Sequence, residues 1–430
     1  MFTAVTGFVA AFFLIFIRVP VGMALALVGF LGYVFLLGFS PATTMLALST
    51  STNTLSYNLA VIPLFILMGN MIAGAGVSMD LYRAAQAFIG RRRGGLAMAT
   101  VLTSGGFAAV CGSSVATAVT VGRIAIPAMR QFGYTDSLGT ATVAAGATLG
   151  ILIPPSVIMV IYGIATETSI GHLFAAGVIP GLLGIVGYML AVKWVVWRNP
   201  DAAPRSEAAS WKEKLDALRK TWLIGLLFII VLGGIYAGFF TATEAGGFGA
   251  AGGFLIALFR RVSLKDMFQI LKDTAMTTAM LFAIVIGAHV FSEFINLTGA
   301  DRAVLELVTA SGLEPWMTIG LILLIYILLG CVLDSLAMML LTLPMFFPIV
   351  TGLGYDAVWF GIVVVMVIEL ALITPPLGMN LFVVRAIAPD VPLITIIKGI
   401  APFVTLDVLR ILLIAVFPVI ALWLPNMLFD

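Results

Sequence analysis

Two proline pairs constrain this chain more than any other feature. Pro154-Pro155 lies in Gly146-Ala-Thr-Leu-Gly-Ile-Leu-Ile-Pro-Pro-Ser156, and Pro375-Pro376 in Glu369-Leu-Ala-Leu-Ile-Thr-Pro-Pro-Leu-Gly-Met379. Both stand in the middle of long apolar runs. Proline lacks the backbone N–H and its ring clashes with the turn before it, so neither run folds as one unbroken helix. In hydrocarbon, the carbonyls released at such a break need a partner in protein, water or an ion. Two breaks in matching positions of two half-molecules point to a transport site.

The two pairs are 221 residues apart, and the same ungapped offset relates Asp80 to Asp301, Ser114 to Ser335, Pro127 to Pro348, Gly133-Tyr134 to Gly354-Tyr355 and Ala165 to Ala386. Shared dipeptides in one register indicate an internal duplication, 50–195 and 271–424. Only 10% of the 430 residues are charged and 62% are hydrophobic. Soluble domains carry about a quarter charged residues, so the fold class is an all-α polytopic membrane protein. The apolar N-terminus lacks a basic start and reads as a first span rather than a signal peptide. Cys111 and Cys331 form no metal or disulfide pattern.

Apolar runs of about 17–25 residues span a bilayer. The reading places N-terminal scaffold spans in 1–49, a polar piece at Ser49–Asn58 and a span to about Ala75. Ser78–Arg93, with Asp80, Arg83 and Arg91-Arg92-Arg93, suits a helix on the membrane surface. Gly95–Ala109 would be only about 22 Å long as a helix, short of the roughly 30 Å hydrocarbon core. Residues 94–130 therefore read as a re-entrant hairpin with its tip at Cys111–Ser114, and 137–165 as the first broken span. A polar linker at 196–220 and inter-repeat spans in 221–270 follow. The second repeat brings a surface helix at Thr298–Leu313, a hairpin at 315–350 with its tip at Gly330-Cys-Val-Leu-Asp-Ser335, a broken span at 357–388 and a last span at 402–424.

Arg18, Arg83 to Arg93, Lys193 to Lys220, Arg260 to Lys272, Arg385 and Lys398 fall on one side in this count. That side is the cytoplasm by the positive-inside rule. About ten spans result, with both termini outside. An odd number of spans between the hairpins inverts the second repeat, so one hairpin opens inward and the other outward, around a site near the midplane.

The tips and breaks supply mostly neutral oxygens, which suit a hard monovalent cation such as Na⁺. One site falls on Gly112, Ser113, Ser114, Gly146, Gly150 and Pro154, the other on Gly330, Asp334, Ser335, Thr374 and Gly378. Ser113, Ser114, Asp334, Thr374 and Asn380 are candidates for substrate contact, since half-helix N-termini attract a carboxylate. Small residues also serve helix packing in membranes, but four elements converging by symmetry favour the ion site. Asp334, whose mate is Ser113, is either a cation or substrate ligand or the cap of the helix after it. Glu244 reads as half of a capping box with Thr241 or Thr243. Glu369 is placed to face a cavity, and Asp407 and Arg410 to pair at i,i+3. His172 and His289 have no partner pattern. The chain has no Walker motif, no nucleophile elbow and no Cys/His cluster, so catalysis has no foothold.

Taken with Pro63-Leu-Phe-Ile-Leu-Met-Gly-Asn70, Gly112-Ser-Ser-Val-Ala-Thr117, Gly233-Gly-Ile-Tyr-Ala-Gly-Phe-Phe-Thr-Ala-Thr-Glu-Ala245 and Pro375-Pro-Leu-Gly-Met-Asn-Leu-Phe382, the Gly146–Ser156 stretch gives a chain that resembles the large membrane subunit of tripartite ATP-independent periplasmic (TRAP) transporters, the DctM-like family. The resemblance implies a bacterial inner-membrane protein with an elevator-type architecture. It also implies two partners, a small TRAP membrane subunit and a periplasmic substrate-binding protein. Work would come from the Na⁺ gradient, with an organic acid as cargo and no cofactor. The family's ion sites map onto Gly112, Ser113, Ser114, Gly150 and Pro154, and onto Gly330, Asp334, Thr374 and Gly378. The chain opens directly on the large-subunit pattern, so a separate small subunit is expected. The alternative class is a stand-alone carrier of the divalent-anion or arsenite type, which shares the inverted-repeat plan; tip-closed hairpins disfavour a channel.

Overall fold

The computed structural model describes residues 2–429 other than 206–208, 311, 331–332 and 377, and for 301, 308 and 309 the backbone alone. Every extended element among the described residues is a helix. In order they are α1 (Phe2–Phe16), α2 (Val21–Leu37), α3 (Phe39–Thr54), α4 (Val61–Gly74) and α5 (Val77–Ile89). A first hairpin follows, α6 (Gly95–Cys111) with α7 (Ser114–Gln131), then α8 (Asp136–Thr148), a 3-10 turn at Leu149–Ile151 and α9 (Val157–Ala165). The middle holds α10 (Ile170–Arg198), α11 (Trp211–Tyr236), α12 (Ala242–Phe259) and α13 (Leu264–Thr298). The last part comprises α14 (Ala300–Ala310), α15 (Pro315–Gly330), α16 (Ser335–Gly352), α17 (Ala357–Ala371), α18 (Met379–Ile387), α19 (Leu393–Val416) and α20 (Val419–Phe429). Seven helices of the described residues are long and apolar enough to cross a membrane, and six more are apolar but shorter.

Local chemistry sets the boundaries. Ser210 with Glu213 and Thr241 with Glu244 form capping boxes that start α11 and α12. The cap at Ser210 draws the polar stretch Trp211–Lys220 of the expected 196–220 linker into α11. The polar piece at Ser49–Asn58 is helical as far as Thr54, where α3 ends. Thr50 and Asn53 donate to the carbonyls of Leu46 and Ser49, both at 2.8 Å, so these polar side chains are satisfied within the helix. The expected last span divides into α19 and α20 at Phe417-Pro418, where proline withholds a donor. α2 and α13 approach backbone to backbone: a Cβ on Gly287 would collide with the Gly22 carbonyl, the close contact that small residues permit between membrane helices.

Two apolar cores organise the packing. One gathers side chains of α5 to α8, α10, α18 and α19; the other gathers α1, α2, α4, α9, α11 to α13, α15 to α17 and α20, with contributions from α10 and α19. The half-helices beyond the breaks are exchanged between them. α9 packs against α16 and α17, whereas α18 packs against α7 and α8.

Candidate functional site

Both breaks have the same local form. α8 ends at Thr148 and α17 at Ala371, and the peptide bonds Pro154-Pro155 and Pro375-Pro376 are both cis. Beyond the first pair, the Ser156 hydroxyl donates to the Ile151 carbonyl at 2.5 Å and accepts from the Met159 N–H at 3.3 Å, closing the turn and capping α9. Beyond the second, the N–H of Asn380 reaches back to the Leu372 carbonyl at 3.0 Å, and that of Gly378 to the Thr374 carbonyl at 3.1 Å. Thr374 donates its hydroxyl to the Leu370 carbonyl at 2.7 Å.

The first tip rests on the first break. Gly112 ends α6 with φ +60°, a conformation glycine adopts without strain. A Cβ there would stand 3.1 Å from the Pro155 carbonyl oxygen. One on Gly150 would stand 3.2 Å from the Ser113 carbonyl oxygen and 3.3 Å from Thr117 Oγ1. Ser113 caps α7, accepting from the Ala116 N–H at 3.4 Å. Ser114, Gly150, Pro154 and Pro155 are buried around it. Gly146 stands apart from the tip: a Cβ there would meet the Ser104 hydroxyl of α6 at 2.9 Å. The sequence reading had not singled out Thr117.

The second tip is more open. Gly330 lies against Ala371 at the end of α17. Asp334 is exposed and caps α16, accepting from the Leu336 N–H at 3.2 Å, and Ser335 is buried. Cys331 and Val332 lie outside the described residues. At the break, the carbonyl oxygens of Leu372 and Thr374 both lie 3.0 Å from where a Gly378 Cβ would be. Pro375 is half-buried and Pro376 exposed, in contrast to their buried counterparts. Asn380 is fully buried. Its Nδ2 donates to the Ala144 carbonyl of α8 at 3.3 Å, and its Oδ1 has no partner. Clustered neutral oxygens of this kind can hold a hard monovalent cation. Among the described residues no His, Cys, Asp and Glu group could hold a metal ion.

A buried network joins the two regions, and most of it was not foreseen. Thr148 donates to Glu369 Oε1 at 3.0 Å and lies 3.0 Å from the Tyr188 hydroxyl. Arg410 Nη2 lies 2.6 Å from Glu369 Oε2 and 2.8 Å from Asp407 Oδ1, and Tyr188 donates to Asp407 Oδ2. Arg410 Nη1 reaches the Pro180 carbonyl at 3.5 Å, in space left by Gly184. Asp407 and Arg410 thus pair as their spacing suggests. Glu369, expected to face a cavity, is fully buried and paired with Thr148 and Arg410. The signal in the sequence was the presence of these charges within apolar spans.

Other candidates have structural roles. Glu244 caps α12. His172 stacks on Phe429, with centroids 4.3 Å apart. His289 lies 3.9 Å from Glu293 and lines a 260 Å³ cleft with Asn53, Thr166, Glu167, Ser292 and Asn296.

Comparison with known proteins places this architecture. The chain is similar to the C4-dicarboxylate TRAP transporter large permease protein DctM of Pseudomonas aeruginosa, 38% identical over 401 residues and 93% of each chain. It is 33% identical to the ectoine TRAP transporter large permease protein TeaC of Halomonas elongata, over 97% of each chain. It is 32% identical to the sialic acid TRAP transporter large permease protein SiaM of Vibrio cholerae, over 93% of this chain and 97% of that one. Among solved structures, the Alcanivorax borkumensis YdaH transporter shares the fold, with a TM-score of 0.62, 17% identity and 90% of each chain covered. The relatives are transport permeases and not enzymes. With its apolar helices, the chain is a multi-pass membrane protein, consistent with the bacterial inner membrane. Residues 8–420 match the family described as tripartite ATP-independent periplasmic transporter, DctM component, and the chain belongs to that family.

Proposed function

We propose that this permease imports an organic acid, delivered by a periplasmic binding protein, by coupling its movement to Na⁺ entering down its gradient. A separate small membrane subunit completes the complex. The named relatives are permeases for C4-dicarboxylates, ectoine and sialic acid, which supports a small carboxylate as the cargo class.

The observation that carries the reading is the convergence of neutral oxygens where the first hairpin tip meets the first break, with the carbonyls of Leu372 and Thr374 gathered at the second break. The first cation site would use Ser113 O, Pro155 O and Thr117 Oγ1 around Gly112 and Gly150; Ser114 and Pro154 line it. The second would use Leu372 O and Thr374 O around Gly378, with Gly330, Asp334 and Ser335 at its tip. Ser113, Ser114, Asp334, Thr374 and Asn380 would face the carboxylate. The duplication in sequence and the like form of the two breaks support two repeats of inverted topology. The exchange of α9 and α18 supports movement of hairpins and breaks as one elevator-like body against α1 to α4 and α11 to α13.

The test is uptake into proteoliposomes holding the permease, its small subunit and the cognate binding protein. Uptake should need an inward Na⁺ gradient. Uptake that persists without Na⁺ and follows a pH gradient would overturn the coupling.

A further inference from the structure

Glu369, Asp407 and Arg410 are 0%, 1% and 6% exposed. Together they bring two carboxyl groups to one guanidinium. One carboxylate would pair with Arg410 at no net charge; a second ionised acid makes the cluster anionic. All four carboxylate oxygens face a donor: Thr148 and Arg410 for Glu369, Arg410 and Tyr188 for Asp407. Thr148 divides its one hydroxyl hydrogen between Glu369 and the Ala145 carbonyl. An unmatched charge buried in a low dielectric is costly unless an opposite charge stands nearby.

The position of the cluster supplies that charge. Thr148 is the last residue of α8, and the turn of the first break starts at the next residue. Glu369 lies two residues before Ala371, where α17 ends and the second break starts. The cluster therefore adjoins the start of both breaks, whose candidate sites are otherwise built mainly of neutral oxygens.

We propose that the Glu369–Asp407–Arg410 cluster is the counter-charge of the cations bound at the two breaks, raising the Na⁺ affinity of both sites without touching either ion. This rests on the reading of the breaks as Na⁺ sites. At a separation on the order of 10 Å and an effective dielectric of about 20, one unit charge changes cation affinity on the order of tenfold.

The experiment is thermal unfolding of the full-length chain with its small subunit in lipid nanodiscs, with Na⁺ titrated against choline at constant ionic strength. Glu369→Gln, which keeps the shape and a hydrogen bond to Arg410, should raise the half-saturating Na⁺ concentration by about tenfold. Asp407→Asn removes the same charge at another position and should do likewise; it keeps the test open if Glu369→Gln fails to fold. Tyr188→Phe removes a buried hydrogen bond and no charge, and should lower the melting temperature while leaving half-saturation within about threefold of the wild type. If the foldable charge variants lose stability but keep the wild-type half-saturation, the cluster is only a structural staple and the proposal is overturned. A wild-type protein with no response to Na⁺ overturns the Na⁺ reading itself, and this inference with it.

Discussion

The Thr148 hydroxyl and the Glu369 carboxylate meet at 3.0 Å, and they stand 221 residues apart, the offset that relates Pro154 to Pro375. Positions equivalent under the sequence offset are thus neighbours in space. They meet just ahead of both breaks, where α8 and α17 stop being helical.

The breaks themselves are the first target. Each interior proline costs a helix about 3 kcal/mol relative to alanine, so replacing Pro154-Pro155 or Pro375-Pro376 by Ala-Ala should leave insertion normal and stability without Na⁺ equal or higher. Carbonyls that faced an ion would turn back into the helix. The stabilisation by saturating Na⁺, about 2.7 kcal/mol at 100 times the dissociation constant for one site, should disappear. Thermal unfolding with and without Na⁺ measures both effects. Normal transport and retained Na⁺ stabilisation in both double variants would reduce the breaks to packing features.

Topology is tested by labelling. Asp201→Cys in the basic segment after α10 and Leu313→Cys before α15, each in a background without Cys111 and Cys331, should react with an impermeant reagent from opposite sides of the membrane. Labelling from one side alone would rule out the inverted arrangement. Ser206, the more central linker position, lies outside the described residues, and Asp201 stands in for it.

The start of α12 rests on its capping box. Thr241→Ala leaves the first-turn N–H groups of that helix without their side-chain acceptor, and should cost about 1 kcal/mol. Amide exchange should rise in the first turn of α12 and stay unchanged at the start of α11, which has its own box at Ser210 and Glu213.

Gly184 makes room for the Arg410 guanidinium, and a Cβ there would overlap Nη1. Gly184→Ala should therefore cost about 1–3 kcal/mol by overpacking. Arg410→Met should cost more, about 3–5 kcal/mol, because it leaves two buried carboxylates without their cation. Melting temperatures of the two variants should fall in that order.

One contact between α7 and the α18–α19 loop should respond to acid. Arg130 lies 2.5 Å from Asp390 and 2.6 Å from Asp136. The hydrogen bond from Arg130 holds the Asp390 carboxyl below the usual aspartate range. A carboxyl that is more acidic in the folded state stabilises the fold above its unfolded value and loses that effect as pH falls through its folded value. Amide exchange in residues 388–392 should thus rise as pH drops below about 4. Asp390→Asn should show the raised exchange already at neutral pH and little further change.

What could be read from the chain alone follows from the range over which each signal acts. Pro154-Pro155 and Pro375-Pro376 break helices by their own covalent structure. Thr241 and Glu244 cap within one turn, and Asp407 and Arg410 share a helix face, so local spacing reveals them. Glu369 finds Arg410 across 41 residues and Thr148 across 221, and no local rule predicts either partner. α3 was hidden for the opposite reason: its hydroxyls look like a loop until their back-bonds to carbonyls one turn earlier are seen. Gly146 shares a motif with the first break, yet its face meets Ser104, a contact that only packing shows.

The seating of α18 on α7 and α8 sets the order in which the molecule can be completed during synthesis. Chains leave the ribosome from the N-terminus, so α7 and α8 are made about 250 residues before the half-helix that covers them. Until α18 arrives, the newly inserted first half presents an uncovered apolar groove to lipid. α9 waits in turn for α16 and α17. Neither half can finish alone, and a chain interrupted before α18 would leave α7 and α8 without the half-helix that covers them.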